Sequence, residues 1–334
     1  MKIAFTVCSN NYLSQAKALG DSLKKYSPEY TFFIGLCDRR SKQIDYDYYA
    51  PAEILEVEKL EIPNFKWMTD NYNIIELNTS VKPYYFQYFL NNYPDAEIVI
   101  YFDPDIKVFD NLGSIEEELA GKSILLTPHI LSPIADDGKV PDEAIFLNYG
   151  VYNLGFLAVC PTPETMKMLK WWSNKLATQC FDRTEKGIFV DQLPMTYVPV
   201  FYEDVQVSKN PGYNFAYWNF HERTISERDG KYYINEKYPL VFFHFSNFKP
   251  VYPIHITSKQ NRFSLDKLPV LKHLFSEYAE ILLLNKYNEL IKIPNYYSFI
   301  YIQEIVKKKS FFSKMKKKNK DRKKIADEGI SHYY

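Results

Sequence analysis

The stretch that most limits what this chain can become is Ile98-Val-Ile-Tyr-Phe102, followed at once by Asp103-Pro104-Asp105. Five consecutive apolar or aromatic residues read as a strand buried on both faces, as in parallel sheets covered by helices on each side. Pro104 cannot donate to a strand ladder, so the strand stops there. Two carboxylates one residue apart then stand at the carboxyl end of a strand, where open α/β sheets bind their ligands. Like charges that close repel unless a cation lies between them, so the pair reads as part of a divalent-cation site.

The rest of the chain is consistent with an α/β sheet. Its 334 residues can bury a large core, as one domain or a domain with an appendage. Residues 2–8 and 31–37 read as buried strands and 52–57 as a weaker one. Residues 11–26 read as a helix with Leu13, Ala16, Leu19 and Leu23 on one face. Thr6 to Tyr12 therefore fall at the first strand-to-helix turn, a usual place for a nucleotide base. No G-x-G-x-x-G or Walker A sequence follows that strand, which counts against a dinucleotide fold and a P-loop.

Residues 64–92 read as a helix in two pieces, the second capped by Asn78, Thr79 or Ser80 with Pro83 in its first turn. Lys82 at that helix start either reaches a phosphate or sugar or is an exposed surface lysine. A long irregular stretch, 127–138, is either a lid on the acceptor side or an ordinary surface excursion. Residues 147–160 read as a strand in which Asn153 and Gly155 precede the apolar run. Gly155 lets the backbone approach a ligand or marks a bulge. Residues 163–178 form an amphipathic helix through Met166, Leu169, Trp172 and Leu176. Asp191 and Gln192 interrupt an apolar segment, and a charge there needs a partner or a task. Asp229-Gly230 marks a hairpin. Leu240 to Pro250 is a last buried strand that ends on His244, and Leu268–Leu290 and Tyr296–Val306 read as helices.

Charge is balanced, with 41 basic and 41 acidic residues, so no nucleic-acid partner is expected. Residues 307–324 nevertheless carry eleven Lys or Arg and one Asp. The four cysteines are far apart, and Cys8, Cys37 and Cys160 each end or follow an apolar run, which suits small buried hydrophobes in a reducing cytoplasm rather than structural zinc. Met1 to Cys8 is too short for a signal-peptide core, and no apolar run approaches the ~20 residues of a membrane span. A cytoplasmic location is expected.

A lone D-x-D is common on surfaces; its place after a buried strand gives it weight. The haloacid-dehalogenase pattern also has D-x-D after an apolar run, but on the first strand and with Thr or Val where this chain has Lys107. His244, at the end of another buried strand, is either a core histidine or a third ligand beside Asp103 and Asp105. Two carboxylates and an imidazole suit Mn²⁺, with Mg²⁺ less natural for the nitrogen. Lys249, five residues on, is placed to neutralise a leaving phosphate.

The order of these parts resembles a glycosyltransferase of the GT-A fold, and within it glycosyltransferase family 8 and its bacterial surface-polysaccharide relatives. The matching pieces are Thr6-Val-Cys-Ser-Asn-Asn-Tyr12, Tyr101-Phe-Asp-Pro-Asp105, Asn153-Leu-Gly-Phe156, Asp191-Gln192 and His244-Phe-Ser-Asn-Phe-Lys-Pro250. They cover roughly residues 1–250. The family pattern has a glycine between the His and the Lys-Pro and one more residue of spacing; this chain has Asn247 and the shorter spacing.

The resemblance implies a mixed α/β GT-A sheet flanked by helices over 1–250, a C-terminal helical appendage over 251–306 and a basic tail over 307–334. It implies that Asp103, Asp105 and His244 hold the metal, and that Thr6, Ser9, Asn10 and Tyr12 surround the base and ribose. Lys249 would bind the diphosphate, and Asn153 with Asp191 and Gln192 would face the donor sugar, Asp191 or Gln192 acting as nucleophile or electrostatic partner. The implied reaction transfers a sugar with retention from a nucleotide-sugar, of the UDP-sugar kind, to a saccharide or lipid-linked saccharide acceptor. The tail would meet the anionic inner face of the plasma membrane, each charge contributing on the order of 1 kcal/mol. A sugar-phosphate nucleotidyltransferase, or a catalytically silent sugar- or membrane-binding module, are the alternatives.

Overall fold

β1, Lys2–Cys8, runs through the middle of a seven-stranded sheet, flanked by β2 (Tyr30–Leu36) on one side and β4 (Ile98–Phe102) on the other in the computed structural model, which describes residues 1–298 and 300–309. β3 (Glu53–Glu56) extends the sheet beyond β2. Beyond β4 come β7 (Phe156–Val159), β6 (Ile124–Leu126) and β10 (Val205–Val207). All pairings are parallel except those of β7, which runs antiparallel to both β4 and β6. The expected GT-A arrangement, a mixed sheet flanked by helices, is what the chain forms.

Side-chain alternation shows why the apolar runs are unbroken. Ile3, Phe5, Val7, Val99 and Tyr101 face one side of the sheet, against α2 (Phe65–Asn71), α3 (Ile74–Ser80), α4 (Lys82–Asn92) and α7 (Pro163–Gln179). Ala4, Cys8, Ile98, Ile100 and Phe102 face the other, against α1 (Leu13–Tyr26) and α5 (Gly113–Leu119). Both faces are covered, so both sets must be apolar.

Several boundaries differ from the expectation, each for a local reason. The 64–92 region is three helices rather than two. The side chain that caps is Asn73, which forms a capping box with Glu76, whereas α4 begins on Val81 without a side-chain cap. Asn78 instead donates to Ser9 Oγ at 2.9 Å. Leu147 lies in a helix, α6 (Glu143–Tyr149), started by Asp142, whose carboxylate accepts from the Ile145 amide, and ended by Gly150 at φ +116°. Leu147 is 71% exposed, so the strand expected from 147 begins only at Phe156. In α7 the core methionine is Met168, with Met166 only half-buried. The long helix expected over 268–290 is α9 (Pro269–Leu284) and a short α10 (Tyr287–Leu290), broken where Lys286 takes φ +65°.

Three small sheets complete the chain. β8 (Asp182–Arg183) pairs with β9 (Ile188–Phe189), and the expected Asp229-Gly230 hairpin joins β11 (Ile225–Arg228) to β12 (Lys231–Ile234), which also pairs with β13 (Tyr238–Pro239). β14 (Phe242–His244) lies outside the main sheet and pairs antiparallel with β5 (Ile106–Val108), the strand just after Asp103-Pro-Asp105. α8 is a single turn, Val198–Phe201. α9 packs its Phe275 and Tyr278 on Phe243, Phe245 and Phe248, so the segment after residue 250 lies against the element that carries His244. Of the basic run expected over 307–324, only 307–309 falls among the described residues.

Candidate active site

Two antiparallel pairings assemble the site. β7 begins where β4 ends, and the Asp103 amide donates to Gly155 O at 2.7 Å, which sets Asn153-Leu-Gly155 beside the aspartates. β14 pairs His244 with Ile106, and the Phe245 amide donates to Asp105 O at 2.9 Å. Residues some 140 positions apart thus meet through backbone register. His244 Nε2 lies 3.1 Å from Asp105 Oδ1 and 3.8 Å from Asp103 Oδ2. Asp103, Asp105 and His244 each turn one ligand atom to a common point, all within 4.8 Å of one another. This donor set could hold a divalent cation.

Gly155 has a third use that neither sequence reading contained. A Cβ there would stand 2.5 Å from His244 Cε1 and 2.8 Å from its Nδ1, so the glycine makes room for the imidazole. Gly155→Ala is expected to push the ring off the aspartates and weaken Mn²⁺ binding at least tenfold with folding kept, read by titrating the free-Mn²⁺ electron-spin signal.

Lys82 is neither exposed nor free. It is 3% exposed, and its ammonium bridges Asp103 Oδ1 at 3.2 Å and Asp191 Oδ2 at 2.9 Å, with Leu154 O accepting at 3.0 Å. Asp191 therefore has the partner its burial demanded, and Trp172 Nε1 donates to its backbone oxygen at 3.0 Å. Burial opposes charge on Lys82, but the carboxylates of Asp103 and Asp191 outweigh it and hold its pKa above the ordinary lysine value. Burial likewise raises Asp103, yet Lys82 and His244 win and hold it below the usual carboxylate range. For Asp191 burial prevails over Lys82 and leaves the pKa raised.

Two chambers meet at this cluster. One of about 270 Å³ is lined by Ser9, Asn11, Tyr12 and Asn78 at the end of β1. The other, of about 500 Å³, is walled by Tyr149, Phe189, Tyr217 and Trp218, with Asp191 and Gln192 in its lining. Lys82, Asp103 and His244 line both. Of the residues expected around a base, Ser9 and Tyr12 reach the smaller chamber. Thr6 is buried in β1, and Asn10 is turned away to bond Arg39 O at 2.8 Å and accept from Tyr46. Lys249 is not brought to either chamber. It is exposed and lines a separate hollow of about 200 Å³ with Tyr252, His255 and Thr257, while Lys259 lines the larger chamber. Asn247, where the family pattern has glycine, takes the left-handed φ of +60° that a glycine would serve.

Asn153 and Gln192 are committed to the frame. Gln192 Oε1 accepts from the Leu154 amide at 3.0 Å and its Nε2 donates to Tyr149 O at 2.9 Å. Asn153 Oδ1 accepts from the Gly155 amide and from Asn214, and its Nδ2 donates to His129 and Gln192. His129 and Asn214 were missed in the sequence. Asn214 carries a usable signal: an amide within Tyr213-Asn-Phe-Ala, a run otherwise fit for a core, must find partners. Lys259 carries none.

Burial pushes the His129 pKa down to about 4 from the ordinary 6.5. The depressed value means the unfolded chain binds a proton between those pH values that the folded chain does not. Its stabilisation is complete above about pH 6.5 and is lost as pH falls through 4, about 3 kcal/mol in all. Urea unfolding at about pH 7 and about pH 4.5 is expected to show this slope, and His129→Phe to flatten it.

No family model matches the chain. The uncharacterized protein YfnF of Bacillus subtilis (strain 168) is 26% identical over 287 residues, spanning 81% of this chain and 89% of YfnF. YfnD of the same organism, also uncharacterized, is 24% identical over 250 residues, 73% of this chain and 76% of YfnD. Among solved structures, galactosyltransferase LgtC in complex with donor and acceptor sugar analogs aligns with a TM-score of 0.51 at 15% identity, covering 84% of this chain and 95% of LgtC. That likeness is one of fold, and it agrees with the GT-A sheet described above.

Proposed function

We propose that this protein is a divalent-cation-dependent glycosyltransferase that moves a sugar from a nucleotide-sugar, of the UDP-sugar kind, to a saccharide acceptor. The observation that carries the reading is the position of the Asp103–Asp105–His244 triad, at the junction of a small polar chamber and a larger aromatic one. A donor laid across that junction has its base and ribose toward Ser9, Asn11 and Tyr12, its diphosphate at the triad, and its sugar toward Asp191. The rings of Tyr149, Phe189, Tyr217 and Trp218 offer faces on which acceptor sugars stack. The fold shared with LgtC supports the class of reaction, and the resemblance to bacterial surface-polysaccharide enzymes points the acceptor to a surface glycan.

A cation bound by the triad would stabilise negative charge on the diphosphate as the glycosidic bond breaks. The chain's own groups do the rest. Asp191, held by Lys82 and by Trp172 beneath its backbone, supplies a fixed negative charge facing the anomeric centre as positive charge develops. We assign this role to Asp191 rather than Gln192 because both ends of the Gln192 amide are engaged with backbone groups. Lys259, which lines the larger chamber where Lys249 does not, is our candidate for the phosphate contact expected of Lys249.

Screening a panel of nucleotide-sugars for Mn²⁺-dependent release of free sugar tests the reading, with proton NMR of the first-formed anomer reporting retention. At least one donor is expected to turn over and to stop on chelation. Turnover of none, or turnover indifferent to chelation, overturns it.

A further inference from the structure

Running back from the triad is a row of buried polar side chains whose hydrogen bonds run in one direction, three of which, His129, Asn153 and His244, also line the larger chamber. His129, Asn153, Asn214 and His244 are all 7% exposed or less. At the far end, His129 Nδ1 is 3.2 Å from Val151 O, an oxygen that only accepts, so the ring proton sits on Nδ1. Its Nε2 is then an acceptor, and it takes the Asn153 Nδ2 hydrogen at 3.1 Å. That places Asn153 Oδ1 on the opposite side, where the Gly155 amide fixes it independently at 3.1 Å.

Asn153 Oδ1 also accepts from Asn214 Nδ2 at 2.9 Å, and the same Nδ2 donates to Thr127 Oγ1 at 3.1 Å. The Asn214 amide can therefore turn only its oxygen toward His244, whose Nδ1 lies 3.2 Å from it. An oxygen there requires the proton on His244 Nδ1. In the neutral ring Nε2, the nitrogen facing Asp103 and Asp105, then carries the outward lone pair. A lone pair aimed at two carboxylates is an unfavourable arrangement without a cation between them. The ring is held in that pose by the absent Cβ of Gly155 and by Trp218, whose ring edge meets both His244 and His129.

We propose that Asn214 is a positioning residue that fixes the ligand tautomer of His244, and that His129, acting through Asn153, fixes the orientation of Asn214. The inference rests on the cation site of the proposed function and adds three residues behind it, Asn214, Asn153 and His129, that make the site selective for a cation over an empty state. Burial of His129, which keeps it neutral at physiological pH, preserves the acceptor at the head of the row.

The test uses the full chain labelled with ¹⁵N-histidine. Long-range nitrogen–proton correlation spectra with and without Cd²⁺, a diamagnetic probe, read each His244 nitrogen. The expected spectrum keeps the proton on Nδ1 in both states and shows cadmium on Nε2. Cadmium on Nδ1, or a neutral ring protonated on Nε2, overturns the inference while leaving the cation site intact. Mn²⁺ titration separates positioning from mere packing. Asn214→Ala is expected to weaken Mn²⁺ binding about 10–100-fold. Asn214→Asp keeps an acceptor at His244 while setting a second oxygen against Asn153 Oδ1, so it is expected to lose thermal stability but to bind Mn²⁺ far better than Asn214→Ala. Equal loss in both variants, or none in either, overturns the inference. Failure of the unaltered chain to bind Mn²⁺ at all overturns both the inference and the proposed function.

Discussion

Asp105→Asn is expected to lower cation-dependent donor turnover by about 10²–10³-fold and to leave the fold in place. The substitution keeps the shape of the side chain and removes one of two negative charges that face His244 Nε2. Among the described residues Asp105 makes one charged contact, to His244 at 3.1 Å, and its side chain is 20% exposed, so little packing depends on it. The loss is therefore electrostatic: the cation is held by one carboxylate fewer, and charge developing on the diphosphate is less well neutralised. Turnover at saturating Mn²⁺ and circular dichroism of the same sample check the two halves of the expectation. Full activity in the variant would remove Asp105 from the site. An unfolded variant would show instead that the carboxylate holds the loop.

Lys82→Met is expected to cost about 3–5 kcal/mol of stability. Its ammonium is the group that makes the burial of Asp191 tolerable and that offsets part of the Asp103 charge. Methionine fills nearly the same volume, so the cost is that of leaving a carboxylate buried and unpaired rather than that of a cavity. The double variant Lys82→Met/Asp191→Leu is expected to recover much of the loss, because removing both partners removes the stranded charge. Urea unfolding of the two variants beside the unaltered chain makes the comparison. If the double variant were as unstable as the single one, packing around Lys82, and not charge, would be the cause. Neither variant is expected to turn over donor, since both lose the fixed charge geometry at Asp191.

How much could be read without the structure differs from one residue to the next. Ile98–Phe102 was legible as a doubly buried strand because nothing but burial on both faces explains five apolar residues in a row. The aspartates after it were legible because a proline marks where the strand must end. His244 was legible as a candidate third ligand, and it was the family resemblance that joined it to the aspartates: its strand pairs with β5 rather than the main sheet, and that pairing has no local signature. Leu147 was misread because a short helix and a strand edge share the same sparse apolar pattern, and Gly150 decides between them through a backbone angle. Lys82 was read as surface or substrate-facing because a lysine at a helix start is ordinarily exposed. Its burial follows from a carboxylate more than a hundred residues later. Lys249 was given to the diphosphate from its distance along the chain to His244, and the turn through Asn247 directs it elsewhere.

The sequence by itself determined the class of sheet, the strand end that carries Asp103 and Asp105, and the set of polar residues that burial would make costly. These are consequences of short-range rules: apolar periodicity, proline and glycine, and the price of an unpaired charge. Tertiary structure alone decided which of those residues meet. The antiparallel entries of β7 and β14 bring Gly155 and His244 to the aspartates; the packing of α4 sets Lys82 against Asp191, and His129 and Asn214 stand in line behind the imidazole. Such pairings depend on register between strands far apart in the chain, and no local pattern encodes a partner's distance.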